Sequence, residues 1–207
     1  MENLVLGCIP SKMDGSEKIF SASEKQRLPE SYSYKENMSP VLDQGFEQIC
    51  VPCTVSSYLN WKENLKDGST KDNKIKLKEI YKSRENRGDG MTFKDALKFL
   101  HKTGVNSDAG LLKINSYGRV MSSIMLKAAI VMNGPCFGAL PVYSDYCDFW
   151  VNRGQGLQGY HAIAIVGYNE NGFIIRNSWG KSFCENGYTV IPYDEFNKLI
   201  EIWTVMS

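Results

Sequence analysis

The sequence predicts an α+β protein of two lobes, and three observations carry that prediction. Helical patterns dominate the first part of the chain, short β-type runs dominate the last third, and the change falls at the Asn133-Gly134-Pro135 breaker. Residues 1–27 form an arm without strong periodicity, and the chain becomes globular at Leu28-Pro29. A helix-dominated first half and a strand-dominated second half follow from that division.

The elements justify themselves in order. After Gln44-Gly45, the residues Cys50, Cys53, Thr54, Ser57, Tyr58, Trp61 and Leu65 recur at helical spacing and predict one buried face of a helix running to about Lys66. Pro52 has no backbone N–H and fits only a first turn, so that helix starts at about Cys50. A second helix is expected over about 74–84. A third follows Thr92, an N-cap with Asp95 three residues on, and carries Phe93, Ala96, Leu97 and Leu100. A fourth, apolar nearly all round, spans about 120–132. Beyond it CFGALPVY, HAIAIVGY, GFIIRNSW, YTVIPY and EIWTVM read as strands parted by Gly and Asn turns.

Composition narrows the function classes. The 207 residues are 43% hydrophobic and 23% charged with a net charge of +1, which gives no electrostatic reason for nucleic acid or an anionic membrane as partner. The Lys-rich run at 71–87 is interleaved with acids and lacks aromatic platforms, so it reads as a solvated face. No apolar stretch approaches the ~18–20 residues that span a bilayer, and the first fifteen residues lack the basic n-region of a secretory signal. A protein made in the cytoplasm, or carried with a virion, is the expectation; a secreted form trimmed of a leader stays open. Six scattered cysteines are too few for a disulfide scaffold and are expected to be mostly reduced.

Two histidines confine the possible chemistry. His101 closes a helix, where the dipole favours it. His161 heads an apolar strand and needs a partner there. With so few imidazoles a multi-His metal site is excluded, and neither a metal nor an organic cofactor is expected. The G-x-G-x-x-G of RGQGLQG (153–159) has a strand after it instead of a helix and reads as a loop. Asn177 ends a strand two residues before Trp179; an Asn can hold one imidazole nitrogen so that the other faces a thiol. Cys50-Val51-Pro52-Cys53 matches a redox C-x-x-C, but no βαβ unit surrounds it. A thiol at a helix N-terminus is activated by free N–H groups and the dipole, which makes a cysteine nucleophile the alternative.

At these residues the chain resembles the papain-like cysteine peptidases. LPESYSYKENMSPVLDQGFEQIC, GDGMTFKDALKFLHKTGV and GYHAIAIVGYNENGFIIRNSWGKSFCENGYTVI carry the likeness in family order, over about residues 28–193. The resemblance implies a two-lobe fold with a cleft between a helical lobe of about 28–110 and a barrel-like, antiparallel β lobe of about 111–207, and endopeptidase chemistry on a peptide or protein substrate. It implies Cys50 as nucleophile, six residues after the oxyanion-hole Gln44, with Cys53 a helix residue. His161 would be the proton carrier, oriented by Asn177 and shielded by Trp179. Gly90 would pair with bound peptide, while Met91, Cys136 and Ala162 would line an apolar pocket.

Several residues depart from the family pattern. Gln48 stands where the family has Gly, with Ile49 after it, and would narrow the cleft. The nucleophile-to-histidine separation is short, and the usual long propeptide is missing, so residues 1–27 would be a short pro- or inhibitory segment lying across the cleft. A monomer is expected. Two further classes remain at this point: a thiol-redox protein using Cys50 and Cys53, and a papain-fold protein that binds without cutting.

Overall fold

A computed structural model describes residues 5–23, 27–86 and 88–206; parts of the expected arm, 1–4 and 24–26, lie outside the described residues. In chain order the elements are β1 (Tyr32–Ser33), α1 (Cys50–Asn64), α2 (Leu77–Lys82), α3 (Phe93–Lys102), β2 (Val105–Ser107), β3 (Gly110–Leu112), β4 (Ser116–Arg119), α4 (Ser123–Asn133), β5 (Cys136–Val142), β6 (Gly159–Asn169), β7 (Gly172–Arg176), β8 (Tyr188–Ile191) and β9 (Glu201–Met206).

Seven strands form one sheet in the order β4-β9-β5-β6-β7-β8, with β1 added on β6. Every pairing is antiparallel. The sheet is open, with β4 and β8 at its ends, so the barrel-like expectation is corrected. Residues 105–112 make a separate two-stranded hairpin that the sequence reading missed. Strand β1 comes from the stretch assigned to the helical lobe, yet it pairs Tyr32 with Tyr168 across β6.

The sheet separates two cores because successive strand residues face opposite ways. Ala162, Ala164 and Val166 of β6 pack with Val51, Val55, Leu59, Phe93 and Leu97 on the side of α1 and α3. Ile163 and Ile165 pack with Leu126, Ala129 and Ile130 of α4 and with Phe149 and Trp150 on the other.

Helix α1 is not half-buried, as its periodicity predicted; residues from Cys50 to Trp61 are all buried. It is enclosed by the sheet on one side and by α2, α3 and the 71–76 segment on the others. Several of its polar side chains are satisfied locally. Ser56 and Ser57 donate to the Cys53 carbonyl at 2.8 and 3.0 Å, and Asn60 accepts from the Asn73 amide and backbone at 3.1 and 2.9 Å. That Asn pairing fixes 71–76 outside any helix, with Lys74 at φ +50°, so α2 is shorter than the predicted 74–84. Thr92 caps α3 as expected, accepting from the Asp95 amide at 3.0 Å. Helix α4 begins late because Ser122 caps it, accepting from Met125 N–H at 3.2 Å. Although apolar nearly all round, it is not buried all round, since Ile124 and Met132 are exposed.

The cysteines are mostly free, as expected, with one pairing that the sequence did not show. Cys147 and Cys184 form a disulfide between the 143–151 and 181–187 loops, while Cys8, Cys50, Cys53 and Cys136 are free. The partners lie 37 residues apart, on loops that meet only through the packing around Phe149 and Phe183.

One buried side chain joins these parts. Arg176, at the end of β7, donates to Ser57 Oγ on α1 (3.3 Å), the Ser39 carbonyl (2.8 Å), Tyr188 Oη (2.8 Å) and the Pro40 carbonyl (2.7 Å). Replacing Arg176 with Met leaves the buried Ser39 carbonyl and the partly buried Pro40 carbonyl without this donor. The expected cost is about 3 kcal/mol or more, read as a fall in Tm of roughly 6–12 °C. A shift within about 1 kcal/mol in urea titration contradicts this role.

Candidate active site

Cys50 is the first residue of α1, where the backbone N–H groups of the first turn have no intrahelical partners. Its sulfur is fully buried and lies against the backbone N–H groups of Ala162, Gly7 and Val51. Burial pushes the thiol up to about 11, and those N–H groups oppose the shift. Cys53 lies one turn on, buried and unpaired, its thiol also raised by burial.

His161 sits near the start of β6, opposite Leu140 on β5. Its Nε2–H donates to Asn177 Oδ1 at 2.6 Å, while Nδ1 has no partner among the described residues. Asn177 follows the last residue of β7, and its Oδ1 also accepts from the Ser178 backbone N–H at 2.7 Å. The imidazole is held in a tautomer that leaves Nδ1 as the acceptor. Trp179 lies over the ring, centroids 4.4 Å apart. Burial lowers His161 to about 4, and the Asn177 hydrogen bond opposes that shift.

Gln44 is placed from both sides. Its backbone N–H donates to the Ser178 carbonyl at 2.9 Å, and its Oε1 accepts from Ser178 Oγ at 2.7 Å. With Oε1 so engaged, Nε2 is turned to donate to the Glu47 and Val5 carbonyls, at 3.1 and 3.0 Å. Gly180, at φ +75°, allows the close approach to Asp43 beside it; a Cβ there would lie 2.9 Å from Asp43 Oδ2.

The structure thus joins Gln44, Asn177, His161 and Trp179 through Ser178 and the Asn177 hydrogen bond, and it sets the backbone N–H of Ala162, next to His161, against the Cys50 sulfur. Met91 and Ala162 join them in one apolar cluster with Cys50 and Cys8. Cys136 is not brought there: it packs in the opposite core, and Ala139 occupies the position across from Ala162. The register explains the difference, since Cys136 pairs with Ile165, three residues further along β6. Gly90 lies beside the cleft at φ +87°, with Ile9 packed over it. His101 stays at the end of α3, its Nδ1 near the Ile114 carbonyl at 3.3 Å, away from this cluster.

Three participants escaped the sequence reading. Ser178 orients Gln44, and its place in the N-S-W run was the available signal. Phe149 packs at 5.0 Å from Trp179 and 5.8 Å from His161, and Phe183 at 5.1 Å from Trp179. The Cys147–Cys184 disulfide fastens the two loops that carry these rings, and no local pattern announces that pairing. Among the described residues no cluster of His, Cys, Asp or Glu could hold a metal ion.

The model of the "Papain family cysteine protease" family matches residues 70–202. The chain belongs to the papain family of cysteine proteases. Its fold is similar to that of xylellain, a cysteine protease from Xylella fastidiosa, with a TM-score of 0.81 over 99% of this chain and 97% of that one at 22% identity. It is also similar to procathepsin B S9 from Trypanosoma congolense, with a TM-score of 0.80 over 98% and 87% at 15% identity. By sequence it is 37% identical over 89 residues to cathepsin B-like CP1 of Giardia intestinalis, covering 38% of this chain and 29% of that protein. It is 51% identical over 55 residues to a peptidase C1-like protein of Acanthamoeba polyphaga mimivirus, covering 24% of this chain and 17% of that one. The chain thus spans less than a third of these curated relatives.

The buried neutral imidazole makes stability depend on pH. The folded value of His161 lies near 4 against an ordinary 6.5, so between those values the unfolded chain binds the extra proton. Stability is therefore full above pH 6.5 and is lost as pH falls toward 4, by about 3 kcal/mol. Urea titrations from pH 7 to 4 should show this slope, and His161→Gln should flatten it. An equal slope in both proteins contradicts the assignment.

Proposed function

We propose that the chain is a cysteine endopeptidase that hydrolyses peptide bonds through Cys50, His161 and Asn177. The observation that carries this reading is the His161 Nε2–Asn177 Oδ1 hydrogen bond, which leaves Nδ1 as a free acceptor one residue before Ala162, whose backbone N–H lies against the Cys50 thiol at the start of α1. In the open cleft, Cys50 passes its proton to His161 Nδ1 and attacks the substrate carbonyl carbon. The resulting oxyanion is stabilised by Gln44 Nε2 and the Cys50 backbone N–H. Collapse releases the amine product with the proton from His161, leaving an acyl-thioester on Cys50. Water, deprotonated by the same imidazole, then hydrolyses the thioester.

Trp179, with Phe149 and Phe183 behind it, keeps water from the His161–Asn177 bond. Gly90 and Met91 supply the wall along which an extended peptide pairs, and Ala162 with Ala139 and Met91 gives that peptide an apolar pocket. All of these residues come from one chain, so a monomer suffices. The helical part to about 110 and the β part from about 111 form the two sides of the cleft. No described helix is long and apolar enough to cross a membrane. The Cys147–Cys184 disulfide favours maturation in an oxidising compartment.

Two alternatives have less support. A redox role for Cys50 with Cys53 finds none in two buried, unbridged thiols whose proton affinity is raised. A binding-only role leaves the oriented imidazole without a purpose.

Peptide hydrolysis should fall by about 10⁴-fold or more in Cys50→Ala, and by about 10²–10³-fold in Gln44→Ala, mainly in kcat. An epoxide-type cysteine-peptidase inhibitor should label Cys50. Labelling at Cys53 instead, or hydrolysis surviving Cys50→Ala, sinks the proposal.

A further inference from the structure

Beside the nucleophile lies a recess of about 280 Å³ whose walls offer acceptors and no cation. Gln48, Asp89 and Gln158 line it together with Gly90 and Tyr160, and residues 6–10 run along it. Among the described residues that line it there is no lysine, arginine or histidine. Met91, Ala139 and Ala162, which form the apolar pocket, are not part of its wall.

Each acceptor is left open for its own reason. The side-chain oxygen of Gln48 is buried and has no hydrogen-bond partner among the described residues. A buried amide oxygen without a donor is costly, so a donor that reaches it gains more than it would at the surface. Gln158 uses its Nε2 on the Tyr143 carbonyl at 2.9 Å, which leaves Oε1 to accept. Asp89 is exposed. The lysines of the neighbouring helix α3 do not neutralise it, because Lys94 pairs with Asp14 and Glu17, and Lys98 with Glu85.

The chain that already runs along the recess shows which part of a bound peptide would face it. Gly7, whose N–H lies against the Cys50 sulfur, is turned toward Gln48; a Cβ there would lie 2.3 Å from the Gln48 carbonyl oxygen. Cys8, the next residue, is buried in the cluster of Cys50, Met91 and Ala162. Successive side chains of an extended chain point to opposite sides. A side chain beside the sulfur therefore turns toward Gln48 when its neighbour enters the apolar pocket. In a substrate, the residue beside the sulfur is the one whose carbonyl is attacked.

We infer that Gln48, Asp89 and Gln158 form a recognition pocket for a cationic side chain, so that the enzyme prefers lysine or arginine at the residue whose carbonyl Cys50 attacks. The inference rests on the peptidase reading and names the substrate class of that site. An ammonium or guanidinium brings several donors to the two amide oxygens, and Asp89 supplies the opposite charge at the rim. A glutamate in the same place meets acceptors alone and is repelled.

The experiment uses the full chain and three dipeptidyl chloromethyl ketones, acetyl-Leu-X with X lysine, norleucine or glutamate. The Cys50 thiol displaces chloride and forms a thioether, which peptide mapping locates. The lysine reagent should label Cys50 about tenfold faster than norleucine, and glutamate should be the slowest. Asp89→Asn and Gln48→Met, each checked for folding by thermal melting, should each lower the lysine-to-norleucine ratio by about threefold or more. Added salt should shrink the ratio in the parent more than in Asp89→Asn. Equal rates for the three reagents, no labelling of Cys50, or a ratio unchanged in both folded variants overturns the pocket. The matching acetyl-Leu-X amides separate the two readings. Their hydrolysis without preference for lysine upholds the peptidase and overturns the pocket, whereas lysine-selective labelling without any hydrolysis does the reverse.

Discussion

The site depends on the buried guanidinium of Arg176. It stands one residue before Asn177, and its donors reach α1 at Ser57 and the carbonyls of Ser39 and Pro40, just ahead of the loop that holds Gln44. A charge buried without a carboxylate partner is tolerable only when several dipoles face it. Here two carbonyls and two hydroxyls do so. The same fork therefore sets the end of β7, the position of α1 and the entry to the Gln44 loop, and with them Asn177, Cys50 and Gln44.

From that anchor, local hydrogen bonds finish the geometry. Ser178 connects the two halves of the machinery: its backbone N–H donates to Asn177 Oδ1, its hydroxyl to Gln44 Oε1, and its carbonyl accepts from Gln44 N–H. The imidazole and the oxyanion donor are thereby oriented through adjacent atoms of one residue. The aromatic set of Phe149, Trp179 and Phe183 closes over them, fastened by a disulfide outside the site. Rigid support of this kind holds reacting groups in place without help from the substrate.

Much of this was legible in the chain. Pro52 marked the start of α1 because it cannot donate in a later turn, and Thr92 marked α3 through its cap. The strands after Pro135 showed in runs of apolar residues because β5 and β6 are buried on both faces. Cys50, His161, Asn177, Trp179 and Gln44 were readable as a set from their motifs. The misreadings share one cause. The all-round burial of α1, the shortening of α2, the β2–β3 hairpin and the open sheet depend on contacts between distant segments, which periodicity does not record. Cys136 was misplaced for a related reason, since facing along β5 is decided by its register with β6.

By itself the sequence determined which residues could do chemistry, because nucleophile, imidazole and orienting amide are residue types at recognisable places on local elements. Tertiary structure decided what surrounds them. It buried Cys50 and His161 until both hold their neutral forms, joined Cys147 to Cys184, and laid Val5 to Ile9 along the cleft. Each outcome depends on surfaces meeting across long stretches of chain, where burial and close approach, as of Gly7 to Gln48, are properties of the folded pair and of neither segment alone.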